Sequence, residues 1–319
     1  MKADVAKKGK QVPLKKRLQK DWSMNKWKYI MLIPVLVYLA LFCYKPMYGL
    51  VIAFKDFKIT RGIDGSSWAN PWYKWFLNFF TDPYFWRLIK NTFLISGLTI
   101  LFGFPAPILL ALMINEVKNS KFKRTVQTIT YMPYFISMVV LCGLLKTFCM
   151  QDGLFSQIAQ LFGGTAQNYL ANPKYFRTIY VLSDIWSGIG WNSIIYLAAL
   201  SGIDQEQYEA ARVDGANRLQ QMIHITLPGL VPTIMILFIL RMGNILNVGY
   251  EKILLLYNAS TYETADVIST YTYRLSFGGS GNPMYSKSTA IGLFNTLINV
   301  CFLLITNAIS KRATDSGLF

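Results

Sequence analysis

Apolar residues in this chain gather in runs of about 20, the length that crosses a bilayer core as a helix, instead of in the stripes or alternations of a soluble core. Four runs are clear: residues 92–114, 126–145, 178–200 and 288–309, of which only the third holds a charge, Asp184. A further run, 230–248, contains Arg241, and a shorter first run, 29–44, lies between Trp27 and Tyr48 as between interfacial anchors. No small-x-small cleavage site follows that first run, and Phe42 before Cys43 is unlike the small residue of a lipoprotein site, so it reads as a span and not a leader. Pro105, Pro107 and Pro133 would break soluble helices but are tolerated in a bundle whose neighbours re-satisfy the freed carbonyls. The pattern predicts an all-α integral membrane protein with six transmembrane helices.

Composition agrees. The chain is 53% hydrophobic and only 15% charged, against about 25% charged in a soluble domain. A net charge of +16 could suggest nucleic acid, but the basic residues flank apolar runs, which is how membrane proteins set orientation. With the N-terminus inside, 18 of the 32 Lys and Arg fall on the inner side: ten in residues 1–28, four in 115–125, two in 201–228 and two in 310–319. Both termini and the 201–228 loop are therefore expected in the cytoplasm. Residues 1–28 read as a basic tail, solvated or lying on anionic headgroups, and 29–319 as the transmembrane domain.

The outer segments differ in character. Residues 51–90 are rich in aromatics, as for an interfacial belt; 149–177 reads as a loop with a short helix over 154–162; 249–287 ends in a turn-rich stretch at 278–283. The four cysteines form no CxxC pair or metal-ligand spacing and read as packed free thiols. No Walker A, HExxH or Gly-x-Ser-x-Gly pattern occurs, and His224 is the single histidine, so neither ATP hydrolysis nor a protease or hydrolase is expected of this chain. Work against a gradient needs another subunit or an ion gradient.

Polar residues inside membrane runs are candidate pathway residues by default. Asp184, Trp186, Trp191 and Asn192 lie on the fourth run, Arg241, Asn244 and Asn247 on the fifth, and Asn295 and Asn299, one turn apart, on the sixth. Lining a cavity and gluing helices together, with an Asp184–Arg241 ion pair, are both open. Amides, a carboxylate and indoles suit a neutral polyhydroxylated ligand, whose sugar faces stack on Trp.

The polar interruption at 201–228 carries the sharpest motif. Glu209, Ala210 and Ala211 are followed by Asp214 and Gly215, and then, after nine residues, by Ile225, Leu227 and Pro228. Good helix formers from Gln205 to Asp214, with Asp204 as N-cap, Gly215 for a left-handed turn and Pro228 restarting a helix, predict a rigid knob held off the bilayer. This pattern resembles the EAA loop of type I ABC importer permeases. Pro46 to Asp56, Ile268 to Arg274, Gly190-Trp191-Asn192 and the closing Gly317-Leu318-Phe319 are similar to motifs of the LplB-type polysaccharide and oligosaccharide permeases, so the likeness covers nearly everything after residue 28. It implies the type I permease fold and a subunit of an ATP-driven, binding-protein-dependent oligosaccharide importer. It also implies a second related permease subunit (or a homodimer), two ATP-binding subunits that hold ATP and Mg, and an extracellular solute-binding protein, with Glu209 at the ATPase contact. The rival class, an ion-coupled secondary transporter, would want titratable residues on several spans and an internal repeat, neither of which is seen.

Overall fold

A computed structural model describes residues 14–278, 283–314 and 317–319, with side chains from residue 21 onward. The first 13 residues of the basic tail and positions 279–282 of the turn-rich stretch lie outside the described residues. The described chain is helical, without β-strands; a single antiparallel bridge joins Lys55 and Trp68. Five helical segments are long and apolar enough to cross a membrane: Asp21–Phe54, Phe85–Glu116, Met138–Leu161, Arg218–Met242 and Tyr285–Thr314.

The expected fourth span exists as a 29-residue helix, Pro173–Ser201, capped by the Asn172 side chain. It is not among the five apolar segments, because Ser183, Asp184, Ser187, Asn192 and Ser193 dilute its hydropathy. Its position explains that polarity. It packs against the helices Pro105–Glu116, Ser120–Tyr131 and Leu227–Met242, so it is the centre of the bundle. By contrast, the window of the first segment buries none of its residues. That helix begins at Leu14, inside the predicted basic tail.

Four of the expected spans are interrupted: the first, 29–44, passes from α-helix into a π turn at Leu39–Tyr44, and the other three break for local reasons. Residues 126–145 do not form one helix. Ser120–Tyr131, capped by Asn119, gives way to a tight 3-10 turn at Met132–Phe135, where Pro133 removes an amide donor, and Ser137 caps a new helix, Met138–Cys149. Between Phe85–Leu98 and Pro105–Glu116 the chain widens into a π turn, Thr99–Gly103, which takes up the missing donor of Pro105. The fifth expected span starts earlier than residue 230, through another π turn at Met222–Thr226, and stops at Met242 instead of 248. Residues 243–247 run in turns, closed by Asn244 N–H on Arg241 O and Ile245 N–H on Met242 O. The short helix expected at 154–162 is found at Leu154–Leu161.

Gly190 sets how closely the central helix approaches its neighbour. A Cβ there would lie 2.1 Å from the Thr130 carbonyl oxygen, so only glycine allows the contact.

The outer segments form a packed cap as well as an aromatic belt. Phe79 and Leu88 are buried with Ile268, Tyr271 and Ile291, and Trp75 donates its indole N–H to the Lys55 carbonyl at 3.0 Å. Trp68, Trp72 and Trp86 remain exposed. Two buried carboxylates fasten this cap. Asp266 takes both guanidinium nitrogens of Arg274 at 2.7 Å and Arg87 at 3.3 Å. Asp82 takes Lys287 Nζ at 2.6 Å and the Tyr271 hydroxyl at 2.5 Å, tying the cap to the last span. Burial alone would raise the Asp82 carboxyl, but the bonds from Lys287 and Tyr271 outweigh it and hold it below the usual carboxylate range.

Two predictions follow from this packing. Gly190→Ala is expected to destabilise the purified protein by about 1–3 kcal/mol, since backbone stands where the methyl would go. Gly143→Ala, where nothing lies within 4 Å, should be neutral or mildly stabilising, and equal thermal unfolding of the two variants would refute this contact. Because folding lowers the Asp82 pKa, its contribution is complete above the unfolded value of about 3.9 and is lost as pH falls through the folded one. A pH series of unfolding midpoints should therefore drop below pH 4 in the parent, with a smaller drop in Asp82→Asn.

Candidate functional site

Two places gather the predicted residues, one following the C-terminal end of the central helix and one along its middle. The first is the knob. The helix Gln205–Val213 starts at Asp204, whose carboxylate accepts from Glu206 N–H at 3.1 Å, and it ends where Gly215 adopts φ +79°. The reversal is closed by Ala216 N–H on Ala211 O at 2.8 Å and Gly215 N–H on Arg212 O at 3.1 Å, the paired bonds of a left-handed helix stop. Asn217 and Gln220 then cap the next turn reciprocally.

The knob is fixed to the bundle but faces away from it. Tyr208 Oη bonds Thr226 Oγ1 at 3.0 Å, Gln221 holds the Ala216 carbonyl at 2.9 Å, and Ile203 packs where Gly229 leaves no room for a side chain. Glu209, Ala210 and Asp214 are exposed and Ala211 half-buried; Leu227 and Pro228 open the following helix. Val213 at the tip is 89% exposed, an apolar residue held out on a short rigid helix. His224, read as structural, bonds the Gln220 carbonyl.

The second place is a cavity of about 400 Å³ between the central helix, the Thr99–Pro107 break and the helix Leu227–Met242. Asp184, Gly188, Trp191, Asn192 and Ile195 line it from the central helix, at spacings that share one helical face. Arg241 lines it from the opposite wall. A smaller chamber of about 280 Å³ shares Thr99, Asp184 and Arg241 with it and adds Asn244, Asn247, Glu251 and Lys252. Trp191 stacks on Tyr134, ring centroids 4.6 Å apart and ring planes nearly parallel, with Phe135 edge-on.

The expected Asp184–Arg241 ion pair does not form. Asp184 pairs instead with Lys252 at 3.4 Å, and Lys252 Nζ also donates to the Tyr180 carbonyl at 3.0 Å. Arg241 makes no hydrogen bond or salt bridge among the described residues. The other candidates divide. Trp186, two residues from Asp184 and so on the far side of the helix, is half-exposed away from the cavity. Asn295 donates to Asn247 at 3.1 Å, Asn247 to Asn244 at 3.0 Å, and Asn244 to the Leu240 carbonyl, so these amides form a relay along the chamber wall. Asn299 is structural: its buried side chain accepts from Leu246 N–H at 3.0 Å. Sequence reasoning missed Lys252 and Tyr134. Lys252 falls in the segment 249–287, read as an outer one, although its place immediately before the apolar run Ile253, Leu254, Leu255, Leu256 marks a cation carried inward.

Residues 103–315 match the family of binding-protein-dependent transport system inner membrane components. This chain belongs to that family. It is the permease component of an ABC transport system, a multi-pass membrane protein. The polygalacturonan/rhamnogalacturonan transport system permease protein YteP of Bacillus subtilis is 40% identical over 96% of this chain and 94% of that protein. Protein LplB of the same organism is 39% identical over 99% and 97%. A bacterial ABC transporter involved in the import of the acidic polysaccharide alginate contains a chain 45% identical to this permease, superposing with TM-score 0.84 over 93% of this chain and 99% of that one. A second structure of an alginate transporter, in complex with an alginate pentasaccharide-bound periplasmic protein, matches at 44% identity and TM-score 0.85 over 95% of this chain and 100% of that one.

The cavity geometry predicts an asymmetry. Asp184→Asn strands the buried Lys252 ammonium, only 2% exposed, and is expected to cost the assembled permease about 2 kcal/mol. Lys252→Met removes that cation and leaves a carboxylate, 42% exposed, facing the cavity, for about 1 kcal/mol or less. Thermal unfolding with the reverse order would show that this pair does not bear on stability as described.

Proposed function

We propose that this permease forms half of the translocation pathway of an ATP-driven importer for oligosaccharides. The carrying observation is the knob: a capped nine-residue helix, anchored through Tyr208 to Thr226, that presents Val213 and Glu209 outward from the bundle. A rigid apolar tip on a polar helix is what a groove on a partner ATPase can grip. The positive-inside count supports a cytoplasmic position for it and for both termini. ATP and Mg are bound by two partner ATP-binding subunits, and a second related permease (or a second copy) completes the pathway. A solute-binding protein delivers the ligand outside, as the alginate structure with its periplasmic protein supports.

The six-span reading adds Pro173–Ser201, fourth in chain order, to the five apolar segments, its polar face turned to the pathway. ATP-driven closure of the ATPases draws the knobs together, and the bundle opens outward to receive sugar, a two-state equilibrium biased from both ends. Polyhydroxylated ligands fit the Trp191 surface and the amide relay. The names of YteP and of the alginate transporters support an oligosaccharide class.

Glu209→Lys and Gly215→Val test the coupling role in the complete transporter in proteoliposomes. Valine at φ +79° strains the stop by about 1–2 kcal/mol, enough to disorder the knob while the bundle stays folded. Binding-protein-stimulated ATPase and uptake are expected to fall by about tenfold or more. Undiminished stimulation and uptake in both variants would remove the knob from the coupling path.

A further inference from the structure

The charges in the cavity do not cancel locally. Asp184 is the sole acid lining the larger chamber, and it is paired with Lys252, which does not line that chamber and is itself held by the Tyr180 carbonyl. Arg241 faces that chamber and pairs with nothing among the described residues. Glu251 lines only the smaller chamber and makes no salt bridge to Arg241. Unpaired charges on membrane-spanning helices are rare and mark substrate pathways, and Arg241 sits in the last turn of such a helix. The larger chamber also offers Asn192 and the indole of Trp191, the latter held in place by Tyr134 and Phe135.

We propose that the transported oligosaccharide is acidic, and that Arg241 binds its carboxylate in the larger chamber while Trp191 and Asn192 contact the ring. The inference rests on the importer reading above and narrows its substrate class. A guanidinium presents a planar fork that matches a carboxylate with two hydrogen bonds, which a neutral hydroxyl cannot reproduce. The ion pair between Asp184 and Lys252 removes the repulsion that a free Asp184 would impose on an incoming anion. Glu251 repels that anion from the smaller chamber, which places the carboxylate on the Trp191 side of Arg241. The residue mix alone suggests a neutral ligand; the pairing of Asp184 reverses that reading.

The test uses the complete transporter in proteoliposomes, with its binding protein saturated, as checked by titration, by either a uronate tetrasaccharide or the fully methyl-esterified form of the same tetrasaccharide. Arg241→Gln is expected to lower uptake of the uronate by about tenfold or more, the loss of one charge-assisted pair, and to change uptake of the ester by less than about twofold. Arg241→Lys should keep most of the uronate uptake, since the charge remains. An equal loss for both probes in Arg241→Gln would make the residue a structural one and overturn the proposal, as would no loss for either. Wild-type transporter that takes up neither probe would overturn the importer reading as well.

Discussion

A helix interrupted inside a bilayer has no water to bond the amides and carbonyls it releases, so every break must be answered by the protein itself. The core of this molecule is organised around two such answers and one buried cation. Where the Leu227–Met242 helix stops, Ser96 Oγ bonds the Ile245 carbonyl and Asn299 takes the Leu246 amide. Where Lys252 enters the bundle, its ammonium is received by the Tyr180 carbonyl and Asp184. Remove these groups and the non-helical backbone has no partners at that depth. With them in place, the unwound chain becomes the wall of a cavity and polar residues can face it.

The same breaks join the two ends of the molecule. The central helix carries Asp184 at the cavity and runs 17 residues, about 25 Å, to Ser201, from which the knob departs. The helix beginning at Leu227 is held to the knob through Tyr208 and Thr226 and ends beside Arg241, about 21 Å away. A displacement of the knob is thereby shared by two helices that form opposite walls of one cavity. The Gly190 contact keeps the central helix against Ser120–Tyr131, so that neighbour is carried along with it.

Much of this was legible in the sequence because it is local. Asp204 as cap, Gly215 as left-handed stop and Pro228 at the start of the next helix follow from side-chain chemistry within a few residues, and all three are found. The face shared by Asp184, Trp191 and Asn192 follows from helical spacing. What could not be read was pairing across the chain. Nothing in a run of apolar residues says that Pro133 ends a helix and that Pro107 sits within one, because the outcome depends on whether a neighbouring side chain caps the break. The Asp184–Lys252 pair spans 68 positions, and hydropathy assigned its two members to different compartments.

On the proposed function, the knob at Gln205–Val213 and the cavity at Asp184 and Arg241 move as one unit. Labelling of a single cysteine at position 192, by a membrane-impermeant maleimide added from outside, tests it most directly. The chain's own four cysteines would be replaced and the complete transporter held in sealed vesicles. Labelling is expected when ATP and loaded binding protein are present, with little without nucleotide and loss of that difference when Gly215→Val disrupts the knob. Labelling at the same rate with and without nucleotide would contradict that joint movement.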